Sequence, residues 1–120
     1  MTHRIDIVKA EGYLHITFSG PFSPEAARRS VDEMAAACKR ERCENVLFDC
    51  RPMSGDLSVM NRFEVAEYGA LKIPYSVKIA MLGRIDQTLP DNFFENVARN
   101  RGVTLTVFTD IDKAIKWLKE

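Results

Sequence analysis

The segment Arg51-Pro52-Met53-Ser54-Gly55-Asp56-Leu57-Ser58 brings two hydroxyls, a carboxylate and a guanidinium together just ahead of a stretch with helical period. A helix N-terminus exposes unpaired amides and carries partial positive charge, so it favours a phosphate or a carboxylate. Ser54 and Ser58 are therefore candidates to hold an anion, or to become one by phosphorylation. Ser54 or Asp56 can equally act as a plain helix cap. Other candidate groups stand where apolar runs end, at Asp49-Cys50-Arg51, Gly83-Arg84 and Thr109-Asp110. Ligands of open α/β sheets gather at the carboxyl ends of strands. In one reading Arg51 and Arg84, at adjacent strand ends, clamp an anionic head group while Phe63 and Phe93 touch its tail.

Motifs of established chemistry are missing. The sequence has no GxGxxG after a strand, no GxxxxGK[ST], no HExxH and no GxSxG. Its two histidines, His3 and His15, lie near the N-terminus, far in sequence from any nucleophile, and His15 falls on the polar side of its strand, facing solvent or a partner. No catalytic residues are assigned, and no enzyme is expected. Cys38, Cys43 and Cys50 lack CxxC spacing and nearby histidines, so neither a disulfide framework nor a metal site is expected. Asp49, Asp56, Asp86 and Asp91 read as caps and solvated turns rather than as a magnesium cluster. No cofactor is implied.

Composition narrows the class further. Of 120 residues, 46% are apolar and 28% charged, enough to close one core. Lys and Arg number 17 against 17 Asp and Glu, which argues against a nucleic-acid binder held by phosphate contacts. No apolar run approaches the roughly 18 residues of a membrane span, and Met1–Asp6 passes into alternation without a signal-type apolar stretch. A reducing, cytoplasmic setting is expected.

The elements that must carry the candidate residues follow from periodicity. Ile5 and Ile7, then Leu14, Ile16 and Phe18, alternate with polar residues around Glu11-Gly12, which predicts an antiparallel hairpin. Ser23-Pro24-Glu25 opens a helix with Ala27, Val31, Met34, Ala35 and Cys38 on one stripe. Val46-Leu47-Phe48 reads as a buried parallel strand and Asp49 to Asp56 as a loop. A second helix has Val59, Phe63, Ala66 and Ala70 on one face. Val77 to Leu82 is the next strand, and Thr88-Leu89-Pro90-Asp91 starts a third helix lined by Phe93, Phe94 and Val97. Leu105 and Val107 mark an edge strand, and Asp110 caps a last helix bearing Ile111, Ala114, Ile115 and Leu118. Phe63, Phe93, Phe94 and Trp117 are expected in the core rather than in a pocket. The whole predicts one α/β domain over residues 1–120, β-β-α-β-α-β-α-β-α. Its single-layer, mainly parallel mixed sheet carries an N-terminal antiparallel hairpin and packed helices.

This order resembles the STAS superfamily, and within it the SpoIIAA-like group. The likeness rests on Val46-Leu47-Phe48-Asp49 running through a loop into a helix, on the strand Val77–Gly83, and on the closing Asp112–Leu118. It implies a non-enzymatic regulatory or ligand-sensing module. In the superfamily's anti-sigma-factor antagonists, Asp-Ser-Ser-Gly-Leu opens the second helix and its first serine is the phosphoacceptor. Here the corresponding stretch is Asp56-Leu57-Ser58-Val59-Met60. The acid matches, Leu57 occupies the phosphoacceptor position and the glycine is absent, leaving Ser58 or Ser54 as the substitute. The leading expectation is a protein-binding module presenting Ser54, Asp56, Ser58 and Met60, with Asp49, Arg51 and Arg84 beside them, to a protein partner or to a second copy as a homodimer. The alternative is a carrier or sensor of a small anionic or lipid-like ligand.

Overall fold

The computed structural model describes residues 3–55, 59–84 and 93–120. The element order is β1 (Arg4–Ala10), β2 (Tyr13–Pro21), α1 (Pro24–Glu41), β3 (Asn45–Asp49), β4 (Met53–Ser54), α2 (Val59–Lys72), β5 (Lys78–Leu82), α3 (Phe93–Asn100), β6 (Thr104–Phe108) and α4 (Ile111–Leu118). Apart from the two-residue β4, this is the predicted α/β succession. The predicted helix start at Thr88–Asp91, Asp56 and Ser58 lie outside the described residues, as do the side chains of Phe93 and Phe94.

The main sheet runs β1-β2-β3-β5-β6, with β4 attached to β2 off this path. β1 and β2 are antiparallel, whereas β2, β3, β5 and β6 are mutually parallel. Each new parallel strand is laid down on the same side of the previous one. Right-handed crossovers then place every connecting helix on one face of the sheet. The buried clusters agree. Leu14, Ile16, Val46, Phe48 and Ile79 pack with α1 (Val31, Met34, Ala37), α2 (Ala66) and α3 (Val97, Ala98). Among the described residues, α4, which follows the last strand, is the helix that covers the other face, where Leu47, Ala80 and Leu82 meet Ala114 and Leu118. Alternation of the strand residues separates the two clusters.

Local chemistry fixes the ends. Ser23 caps α1, its Oγ accepting from the Ala26 amide at 3.0 Å, with Pro24 following. Arg42 ends α1 with φ 53°, and among the described residues it is the one non-glycine at positive φ. The Asp110 side chain accepts from the amides of Asp112 and Lys113 at the head of α4. On α1, Ala35 is half-buried and Ala37 fully buried, so the inward stripe is rotated slightly from the predicted one. Phe63 and Trp117 are partly buried against the two core clusters, as a packing role requires.

Candidate functional site

β3 ends on Asp49, whose carboxylate holds the start of the following loop. Its side chain is 5% exposed yet carries a carboxylate. Oδ1 accepts from the Arg51 amide at 3.1 Å and from Arg51 Nε at 3.0 Å. Oδ2 accepts from an Arg51 terminal nitrogen at 2.8 Å, and His15 Nε2 stands 3.2 Å away, within reach to donate to the same oxygen. Burial by itself would push this carboxyl up. The bonds from Arg51, side chain and backbone, and from His15 outweigh it and hold Asp49 below the usual carboxylate range. The same carboxylate raises Arg51, whose charge is fixed in any case.

The pairing with His15 follows from sheet register. His15 is level with Leu47 and Thr17 with Asp49 on the neighbouring parallel strands. His15 and Asp49 therefore share the face of the sheet on which α4 packs, and they are diagonal neighbours. His15 does lie on the polar side of β2, as expected, but it is half-buried against a carboxylate rather than simply facing solvent. Thirty-four positions separate the two residues in sequence, and no local pattern signals the contact.

The sequence predicts a loop from Asp49 to Asp56. Instead Met53–Ser54 makes a short parallel strand against Gly20–Pro21. The Cys50 amide donates to the Leu82 carbonyl at 2.7 Å, and the Met53 amide donates to the Cys50 carbonyl at 3.1 Å. The Gly20 amide donates to the Pro52 carbonyl, and the Phe22 amide to the Ser54 carbonyl at 3.0 Å. The amides of residues 50, 51 and 53 are thus consumed within the fold and are not offered to an anion, and Pro52 has none. Gly55 follows at φ 88°, a left-handed conformation that a side chain would strain.

Arg84, just past β5, donates to the carbonyls of Arg51 and Met53. Arg51 and Arg84 do stand close together, as the sequence suggested, yet both tie down the loop. Their geometry gives no support to a head-group clamp. Ser54 and Met60 lie at the surface on either side of the undescribed stretch, Met60 being 65% exposed in the first turn of α2. Among the described residues, no group of three or more His, Cys, Asp or Glu side chains is placed to hold a metal ion, and no helix is long and apolar enough to cross a membrane. Among the described residues, none of Cys38, Cys43 and Cys50 is joined in a disulfide.

A buried carboxylate at a strand end, a loop laced to β2 and an exposed helix start complete the geometry of the site. Among solved structures, an anti-sigma factor antagonist from Mycobacterium paratuberculosis superposes with a TM-score of 0.69 at 9% identity, covering 99% of this chain and 96% of its own. A protein with a SpoIIAA-like fold from Shewanella loihica superposes with a TM-score of 0.57 at 18% identity, covering 97% and 93% respectively. The fold is SpoIIAA-like. That agrees with the STAS resemblance drawn from the strand order and the closing helix. No protein-family model matches the sequence, and no curated protein does.

The SpoIIAA-like arrangement also bears on small ligands. Crevices for ligands open in parallel sheets where the strand order reverses and helices diverge to opposite faces. Here the order β2-β3-β5-β6 never reverses, and the three connecting helices lie side by side on one face.

Proposed function

We propose that the chain is a non-enzymatic regulatory module that binds a protein partner through the β3–α2 loop and the first turn of α2. The observation that carries this reading is the division of labour along the loop. Residues 49–53 are fastened internally by Asp49, Arg51 and Arg84, whereas Ser54 and Met60 at the two ends of residues 55–59 are exposed. A rigid frame with exposed side chains lowers the ordering cost of association. The superposition on an anti-sigma factor antagonist supports the same class of role. Asp56 and Ser58 belong to the proposed surface by their place in the sequence. Ser58, immediately before α2, is the proposed phosphoacceptor, since a phosphate there would add about two negative charges beside a helix N-terminus. Three cysteines held as thiols rather than as disulfides favour a reducing, cytoplasmic setting for this binding.

The test is quantitative capture of partners from lysate of the source cells, comparing the wild-type chain with Ser58→Asp and Met60→Glu. Both variants should retain their folded circular dichroism and lose the bulk of a partner that the wild type holds. Identical partner sets for all three proteins refute the proposal.

A further inference from the structure

α2 lies between α1 and α3 and carries a second pattern on its outward side. Its inward side is supplied by Phe63, Ala66, Ala70 and then Ile73, which pack into the core. Facing away are Met60, Glu64, Glu67 and Leu71, all exposed, with Met60 at 65% and Leu71 at 82%. At 3.6 residues per turn these four fall within about 60° of one another, and Met60 and Leu71 are about 16 Å apart along the axis. The stripe thus has an apolar side chain at each end and two carboxylates in the middle. Beyond the helix, Tyr75 is 78% exposed on a turn held by the Val77 amide donating to the Pro74 carbonyl and by Thr104 Oγ1 donating to the Tyr75 carbonyl.

Single exposed apolar side chains need no explanation. Their alignment with like charges between them does select among occupants. A second copy laid antiparallel on this face would set Glu64 against Glu67 of the other molecule, and a parallel one would set each glutamate against itself. Like charges directly opposed are unfavourable, so self-pairing through α2 is disfavoured. Phosphate-rich surfaces are repelled for the same reason. Among the described residues, Glu67 has a loose ion pair with Arg101 at 3.9 Å. That guanidinium is held elsewhere, 4.0 Å over the Phe63 ring and donating to the Val97 carbonyl.

Resting on the reading of α2 as a partner-facing helix, we infer that the stripe Met60-Glu64-Glu67-Leu71 docks a basic amphipathic helix of the partner protein. Apolar anchors of that helix sit at Met60 and Leu71, and its lysines or arginines lie over the two glutamates. Helix on helix matches the spacing, because anchors eleven residues apart on the partner span the same rise. The acidic middle supplies orientation and discrimination more than raw affinity.

The experiment uses the intact chain and synthetic alanine-based helical peptides of about 18 residues, with leucines eleven apart and either two lysines or two glutamates between them. Amide shifts are followed by NMR at low ionic strength. The lysine peptide should shift the amides of residues 59–72 and bind about tenfold more tightly than the glutamate peptide, a preference fading near 0.5 M salt. The Glu64→Lys/Glu67→Lys variant should invert the preference, and Leu71→Ala should weaken the lysine peptide about fivefold. Absence of binding, equal binding of the two peptides, an unchanged preference in the charge-reversed variant, or shifts confined to other elements would each overturn the inference. Should the wild-type partner be lost in Ser58→Asp and Met60→Glu but be indifferent to charge reversal at Glu64 and Glu67, the docking stripe is wrong while the loop reading stands.

Discussion

Asp49 is the group on which the site's architecture depends, and Asp49→Asn is the perturbation that isolates it. The substitution keeps the shape and removes the charge. Oδ1 faces two Arg51 donors, while Oδ2 faces a third together with His15 Nε2. Whichever way the amide is turned, its NH2 group meets donors, and the bidentate grip on Arg51 is broken. Hydrogen bonds to charged groups contribute about 1.5–3 kcal/mol each, and Arg51 relaxes toward water because it is half-exposed. The net cost should be about 3 kcal/mol, a large part of a typical stability of about 5–15 kcal/mol. With an m-value of about 1.5 kcal/mol/M, the urea midpoint should fall by about 2 M with the slope unchanged. The sign with pH follows from the depressed carboxyl. Its stabilisation is complete above the unfolded value of about 3.9 and is lost as pH falls through the lower folded value. Wild type and variant should therefore converge in stability at the acid end of that window. A loss under about 0.5 kcal/mol at neutral pH, or a gap that persists once the carboxyl is protonated, would refute the assignment of Asp49 as a charged, buried anchor.

Other parts of the fold give equally direct expectations. Half-buried Cys43 should be the one thiol that reacts quickly with a disulfide reagent in the native protein. Burial, with Cys43 and Glu44 nearby, pushes Cys38 up to about 11, and burial raises Cys50 still further; two fast equivalents would contradict this. Arg42→Gly should stabilise by about 0.5 kcal/mol in urea melts by relieving the left-handed backbone at φ 53°, and a destabilised variant would show that the side chain matters more than the strain. Leu118→Ala should cost about 2–4 kcal/mol, since Leu118 is 2% exposed on α4, where it packs with Leu47, Ala80 and Leu82. A cost below about 1 kcal/mol would mean that α4 contributes little to that core.

The sequence made the fold legible because each element repeats its own period. Leu14, Ile16 and Phe18 alternate, Val46-Leu47-Phe48 is apolar throughout, and Ser23 and Asp110 cap helices by local chemistry alone. The site was legible only as a place. Asp49, Arg51 and Arg84 stand at strand ends in any α/β reading, but which of them faces outward depends on hydrogen bonds across the sheet. β4 is too short to have a period, and its pairing to Gly20–Pro21 comes from β2 running past the end of β3. The His15–Asp49 contact depends on β2 and β3 being adjacent, parallel and in one register, which no stretch of sequence encodes by itself.

Topology decides on which side of the sheet the proposed surface lies. A sheet that grows in one direction keeps its three crossover helices on one side and leaves no crevice at a point of reversal. The proposed binding surface is then the outside of what those helices and loops present. α2 is the middle helix of the three, so its inward side is fully used and its flanks meet α1 and α3. Its outward stripe and first turn remain exposed, next to a loop that Asp49, Arg51 and Arg84 hold in place. Mutations that loosen the anchor should consequently weaken partner binding without touching the partner. Arg84→Ala removes the donor to the Arg51 and Met53 carbonyls while leaving Met60, Glu64, Glu67 and Leu71 unaltered. It should reduce capture of the partner and increase hydrogen exchange at the Met53 and Phe22 amides. Full capture alongside accelerated exchange would separate the loop's rigidity from its recognition and confine binding to α2.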